Sequence, residues 1–86
     1  MITVEFYGIP RRRAGRAALT VAAGTAADAL AAVERACPQL RGLVGPDGRL
    51  DPHFLLSRNG QEFLTELDRP LCPDDRLLLL SADAGG

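Results

Sequence analysis

An α+β fold, a mixed sheet of about five strands with one main helix, is predicted by three features of the chain. The amino end alternates apolar and polar residues through Ile2-Thr3-Val4-Glu5-Phe6-Tyr7. One clear helical period lies between Thr25 and Pro38. A closing run, Leu77-Leu78-Leu79-Leu80, is apolar enough for the middle of a sheet.

The first alternation has the period of a strand with one buried face, so Ile2, Val4 and Phe6 are expected in the core. Gly8-Ile9-Pro10 breaks the pattern, and Arg11, Arg12, Arg13 and Gly15 read as a polar turn. A second β-like run, Ala17-Ala18-Leu19-Thr20-Val21, then returns along the first as an antiparallel hairpin.

Thr25 is a good helix N-cap, and Asp28 places a carboxylate in the first turn, where exposed N–H groups favour it. Leu30, Val33 and Cys37, with Ala29 and Ala36 beside them, fall at helical spacing on one face, while Glu34 and Arg35 mark the wet side. Pro38 ends the helix, since it disfavours helical angles at the residue before it and has no N–H to donate.

From Gln39 to Pro52 the glycines and prolines describe a crossover loop, with a short helical turn at Leu40–Leu43. His53 to Arg58 reads as the third strand, and Asn59-Gly60 is a strong hairpin signal. Glu62-Phe63-Leu64 is the short strand returning from that turn. The segment from Leu67 to Asp75 is a proline-bearing loop into the last strand, Arg76 to Leu80. Placing that strand centrally beside the first, both running the same way, gives the β-grasp arrangement, the fold of ubiquitin.

Composition bounds what this body can do. At 86 residues the chain is one domain, and with 47% hydrophobic and 24% charged residues it is expected to fold. The expected organisation is a β-grasp domain over 1–81 and a flexible diglycine tail over 82–86. A net charge of −1 argues against a general nucleic-acid binder. There is no run of about 20 apolar residues to span a membrane and no signal-peptide layout at the start, so a cytoplasmic protein is expected. Cys37 and Cys72 have no metal-ligand or redox spacing and read as small buried hydrophobes. His53 is the only histidine, which supplies neither a zinc site nor a catalytic triad. All 10 cationic side chains are arginines, so the chain offers no lysine on which to build polymers of itself.

The terminal Gly85-Gly86 carries the functional reading. A carboxylate on two glycines has no Cβ near it and can thread a channel that other residues would block. Six extended residues from Ser81 reach roughly 20 Å, far enough to deliver it into a partner's active site. If Leu77 and Leu79 face the core, alternation turns Leu78 and Leu80 outward, and with Leu55 they form an apolar patch beside the tail. Arg11, Arg12, Arg13 and Arg16 read as a solvated loop, steering towards an acidic partner being the rival role.

Over its whole length the chain resembles the prokaryotic ubiquitin-like sulfur carriers of the MoaD/ThiS family. The likeness rests on Gly85-Gly86, Asn59-Gly60-Gln61, Pro70-Leu71 and Asp74-Asp75-Arg76-Leu77. Cys37-Pro38-Gln39-Leu40 and the chain length resemble the molybdopterin-synthase small subunit more than the thiamine carrier. The resemblance implies that an E1-like enzyme adenylates Gly86 with ATP and that sulfur replaces AMP to leave a thiocarboxylate. The carrier then binds no cofactor or metal, is not itself an enzyme, and passes sulfur to a synthase large subunit or another acceptor. Gly85, Ala84 and Asp83 would form the tail that threads the partner's channel, and Leu55, Leu78 and Leu80 would dock against the partner. Many relatives have prolines and an apolar residue before the diglycine, whereas Asp83 carries a charge into the channel. Carriers of this kind also serve cysteine, thiamine, tRNA thiolation and natural-product pathways. An interaction module without sulfur chemistry and a modifier conjugated to target lysines are the competing classes.

Overall fold

Alternation at the two apolar ends of the chain builds the middle of the sheet. A computed structural model describes residues 1–82, among which the strands form one five-stranded sheet. In β1 (Ile2–Phe6) the odd-even burial is strict, with Ile2, Val4 and Phe6 buried and Thr3 and Glu5 half-exposed. The last strand, here β5 (Arg76–Ser81), buries Leu77 and Leu79 completely and lies parallel to β1, Val4 opposite Leu77 and Phe6 opposite Leu79. Full burial of side chains of this size contributes about 1.5–3 kcal/mol each.

The segment between the first two strands departs from the expected polar turn. Ile9–Ala14 is a short helix, α1, followed by β2 (Ala18–Val21), which pairs antiparallel with β1. Pro10 sits in the first turn of α1, where its missing N–H costs nothing. Three arginines occupy the last turn, a placement favoured by the helix dipole, and Gly15 closes it with φ 71°, its N–H donating to the Arg11 carbonyl at 3.0 Å.

The main helix, α2 (Ala26–Ala36), runs as the sequence predicts. Thr25 caps it, accepting from the Asp28 backbone N–H at 3.1 Å, and Ala26, Ala29, Leu30 and Val33 face the sheet. Ala36 does not join that face and is exposed. Glu34, half-exposed on the wet side as expected, does more than meet solvent: its carboxylate accepts the backbone N–H groups of Gly42 and Leu43 at 2.8 and 3.1 Å. The short helical turn lies at Pro38–Leu40, earlier than expected, since proline opens such a turn without loss; Leu40 and Leu43 are both buried.

The remaining strands are β3 (Phe54–Arg58) and β4 (Glu62–Phe63), giving the order β2-β1-β5-β3-β4. The hairpin between them turns through Asn59 and Gly60 at φ 57° and 69°, with the Gln61 N–H donating to the Arg58 carbonyl at 3.0 Å. Positive φ at both central residues is what a type I′ turn needs, and since Arg58 pairs with Glu62 the loop holds Gln61 as one extra residue. The loop before β5 is stitched to the start of α2: Ala27 N–H donates to the Leu67 carbonyl at 2.8 Å and Leu71 N–H to the Gly24 carbonyl at 2.9 Å. The core thus fills the space between α2 and one face of the sheet, and the other face carries Leu55, Leu78, Leu80 and Phe63.

Candidate functional site

The last described residues are held by the sheet itself. β5 lies between β1 and β3, and beyond its last residue the Ala82 N–H still donates to the His53 carbonyl at 2.8 Å. Whatever follows Ala82 therefore departs from a fixed point. The four residues named for the channel and the sulfur, Asp83, Ala84, Gly85 and Gly86, lie outside the described residues.

The three leucines expected to dock share the face opposite α2. Leu55 pairs directly with Leu80 across β3 and β5, and Leu78 lies two residues earlier on the same face, opposite Ser57. Leu55 is 38% exposed and Leu78 and Leu80 are half-buried. A fourth apolar residue extends the row: Phe63 on β4 stands opposite Ser57 and is 62% exposed. The returning strand after Asn59-Gly60 carries that information in sequence, but a strand of two residues gives too short an alternation to assign a face. Four large apolar groups on one face of so small a protein suit a protein partner.

Polar groups frame the patch on the β1 side. Glu5 pairs with Arg76, Oε2 to Nε at 3.0 Å, and accepts the Tyr7 hydroxyl on Oε1 at 2.6 Å. That hydrogen bond, to a carboxylate that favours the neutral phenol, raises the Tyr7 pKa above its ordinary value.

The remaining sequence candidates separate. Cys37 is buried, as expected, but Cys72 is exposed on the proline loop, where its Sγ accepts from Arg58 Nη2 at 3.6 Å; a loop outside the core gives it nothing to pack into. Beside it Asp75 is nearly buried, accepting from Asn59 Nδ2 at 3.0 Å, from the Cys72 N–H at 2.8 Å and from Arg58 Nε at 3.1 Å. These donors, Asn59 foremost, hold its pKa below the ordinary carboxylate value. His53 bonds through Nδ1 to Asp51 at 2.7 Å. Among the described residues no group of three His, Cys, Asp or Glu side chains is arranged to hold a metal ion, and no helix is long and apolar enough to cross a membrane.

Solved structures resemble the chain along its full length. SAMP1 from Haloferax volcanii superposes with a TM-score of 0.83 at 29% identity, covering 99% of this chain and 98% of that one. The small archaeal modifier protein 1 of Methanosarcina acetivorans gives a TM-score of 0.82 at 21% identity, with 99% and 95% covered. A chain of the Amycolatopsis orientalis BexX/CysO complex gives 0.82 at 21% identity, with 100% of both chains covered. No family model matches the sequence, and no curated protein matches it significantly. Element order, parallel pairing of the first and last strands and these superpositions agree: the chain has the ubiquitin-like β-grasp fold.

Proposed function

We propose that this protein is a sulfur carrier whose working group is the Gly86 carboxylate. The observation that carries the reading is the fixed departure of the chain from β5 at Ala82, next to an apolar face, into a sequence that runs Asp83-Ala84-Gly85-Gly86. A free carboxylate is a poor electrophile. In the proposed cycle its oxygen attacks the α-phosphorus of ATP on an E1-like adenylating enzyme, and pyrophosphate leaves. A sulfide-level nucleophile then attacks the carbonyl carbon, AMP departs with the bonding pair, and Gly86 ends as a thiocarboxylate. Gly85 and Gly86 supply the slender end that the partner's channel needs, and Ala84 and Asp83 follow them into it. Leu55, Leu78 and Leu80, joined by Phe63, form the docking face. The chemistry belongs to the partners, ATP is consumed there, and this chain binds no cofactor of its own.

Residues 37–40 and the chain length favour molybdopterin synthesis as the destination, with a synthase large subunit as acceptor. Cysteine, thiamine, tRNA thiolation and natural-product acceptors are the other destinations for the same thiocarboxylate. The likeness to SAMP1, a modifier protein by name, favours a second reading in which Gly86 is joined to amines of target proteins.

Intact mass after co-expression with the adenylating enzyme tests the carrier reading. Replacement of one oxygen of Gly86 by sulfur is expected, and deletion of Gly86 abolishes it. An unmodified terminus in the presence of demonstrably active enzyme overturns the proposal, and higher-mass adducts on cellular proteins move the function to conjugation.

A further inference from the structure

The end of β5 is also one wall of a hollow of about 410 Å³. Its other walls come from three distant stretches of chain: Ile9 and Arg13, one turn apart on α1; Arg41, directly after the Pro38–Leu40 turn; and His53 with Phe54 at the start of β3. α1 packs against the Pro38–Leu40 turn, which is why arginines so far apart in sequence line one concavity.

Charge within the hollow is unbalanced. Arg58, Arg69 and Arg76 are each paired with a carboxylate elsewhere on the molecule. Arg13 and Arg41 make no side-chain hydrogen bond or ion pair among the described residues. The acidic group that lines the hollow, Asp51, is already committed, accepting the His53 backbone N–H at 2.8 Å and its ring Nδ1 at 2.7 Å. Two planar guanidinium groups over partly apolar walls suit a carboxylate, which each can grip with two parallel hydrogen bonds.

We infer that this hollow is a socket for an acidic side chain, Asp or Glu, on the rim of the protein that takes up the tail. The inference rests on the carrier reading. It adds that, since Ser81 at the end of β5 shares the wall with Arg13 and Arg41, the rim of a partner enclosing the residues after Ala82 reaches these two arginines. Charge reversal there sets like charges face to face at the rim, which slows association and removes its salt dependence.

Calorimetric titration of the intact adenylating enzyme with the full chain tests this at low and high salt. The variant R13E/R41E is compared with R12E/R16E, which changes net charge equally at exposed arginines that do not line the hollow. Expected is a dissociation constant raised at least about tenfold in R13E/R41E, with its salt dependence flattened, and about twofold at most in R12E/R16E. Equal weakening by the two pairs means a diffuse field and overturns the socket. So does an unchanged constant in R13E/R41E, although thiocarboxylate formation in that variant leaves the carrier reading standing. Failure of the wild-type chain to bind the enzyme at all overturns both.

Discussion

Asn59 shows how much one residue contributes to the frame that aims β5. Its backbone lies at φ 57°, its Nδ2 donates to Asp75 at 3.0 Å and its Oδ1 accepts the Arg76 N–H at 2.8 Å. Asn59→Ala loses both bonds and keeps a Cβ without the local polar compensation that eases the left-handed region, so a loss of about 2 kcal/mol is expected in urea unfolding. Asn59→Gly loses the bonds but relieves the backbone, and it is expected to cost less; an equal loss in both variants would assign the whole effect to the hydrogen bonds. Asp75 makes the same cluster pH-dependent. Its folded pKa is lowered, by the Asn59 bond first, then the Cys72 N–H and the Arg58 charge, from an ordinary value of 3.8. The carboxylate therefore adds stability above that value, and the gain is lost as pH falls through the folded pKa. Urea midpoints measured from pH 6 downward are expected to fall in the wild type and to fall less steeply in Asp75→Asn, which has no charge left to titrate. The Asn59-Gly60 hairpin is legible in sequence because φ above zero at both positions leaves few candidates. The Asp75 cluster is not, since nothing in the local chain ties Asp75 to a residue 16 positions earlier.

At the scale of elements, legibility follows length and period. β1, α2 and β5 are each long enough to repeat a burial pattern, and their boundaries come out within a residue or so of expectation. α1 is six residues, less than two turns, so its signal is confined to its ends, and Pro10 reads as a breaker until its place in the first turn is seen. Glu34 belongs to this scale as well. Its carboxylate accepts two backbone N–H groups from the crossover, tying the end of α2 to the loop that precedes β3. Glu34→Ala leaves those donors to water and is expected to cost about 1–2 kcal/mol. Amide hydrogen exchange locates the effect: protection is expected to fall first at Gly42 and Leu43, while amides inside β1 and β5 keep the exchange rates of global unfolding. Uniform loss across the chain would mean that the crossover is not held by Glu34 but by the burial of Leu40 and Leu43 alone.

For the whole molecule, the placement of Ala82 and the leucine face is a property of topology. Alternation puts Leu78 and Leu80 on the face away from Leu77 and Leu79, and the third strand adds Leu55 beside them, so three of the four patch residues are legible in the order of residues. Phe63 and the arginine hollow are not, because one depends on hairpin register and the other gathers four separate stretches of chain. The proposed docking role of the open face can be separated from the proposed chemistry of Gly86 by kinetics. Leu55→Ser with Leu80→Ser removes a directly paired couple from the open face. Both side chains are partly exposed, so the double change is expected to cost about 1–2 kcal/mol and leave the fold intact in near-native circular dichroism. In thiocarboxylate formation with the adenylating enzyme, the concentration of carrier giving half-maximal rate is expected to rise at least about tenfold while the maximal rate is retained, the signature of lost ground-state binding. Deletion of Gly86 gives the opposite pattern, with the carrier still bound and competing against wild type but no product formed. An unchanged half-maximal concentration in the serine variant would remove the open face from the partner interface and leave recognition to the tail and its surroundings.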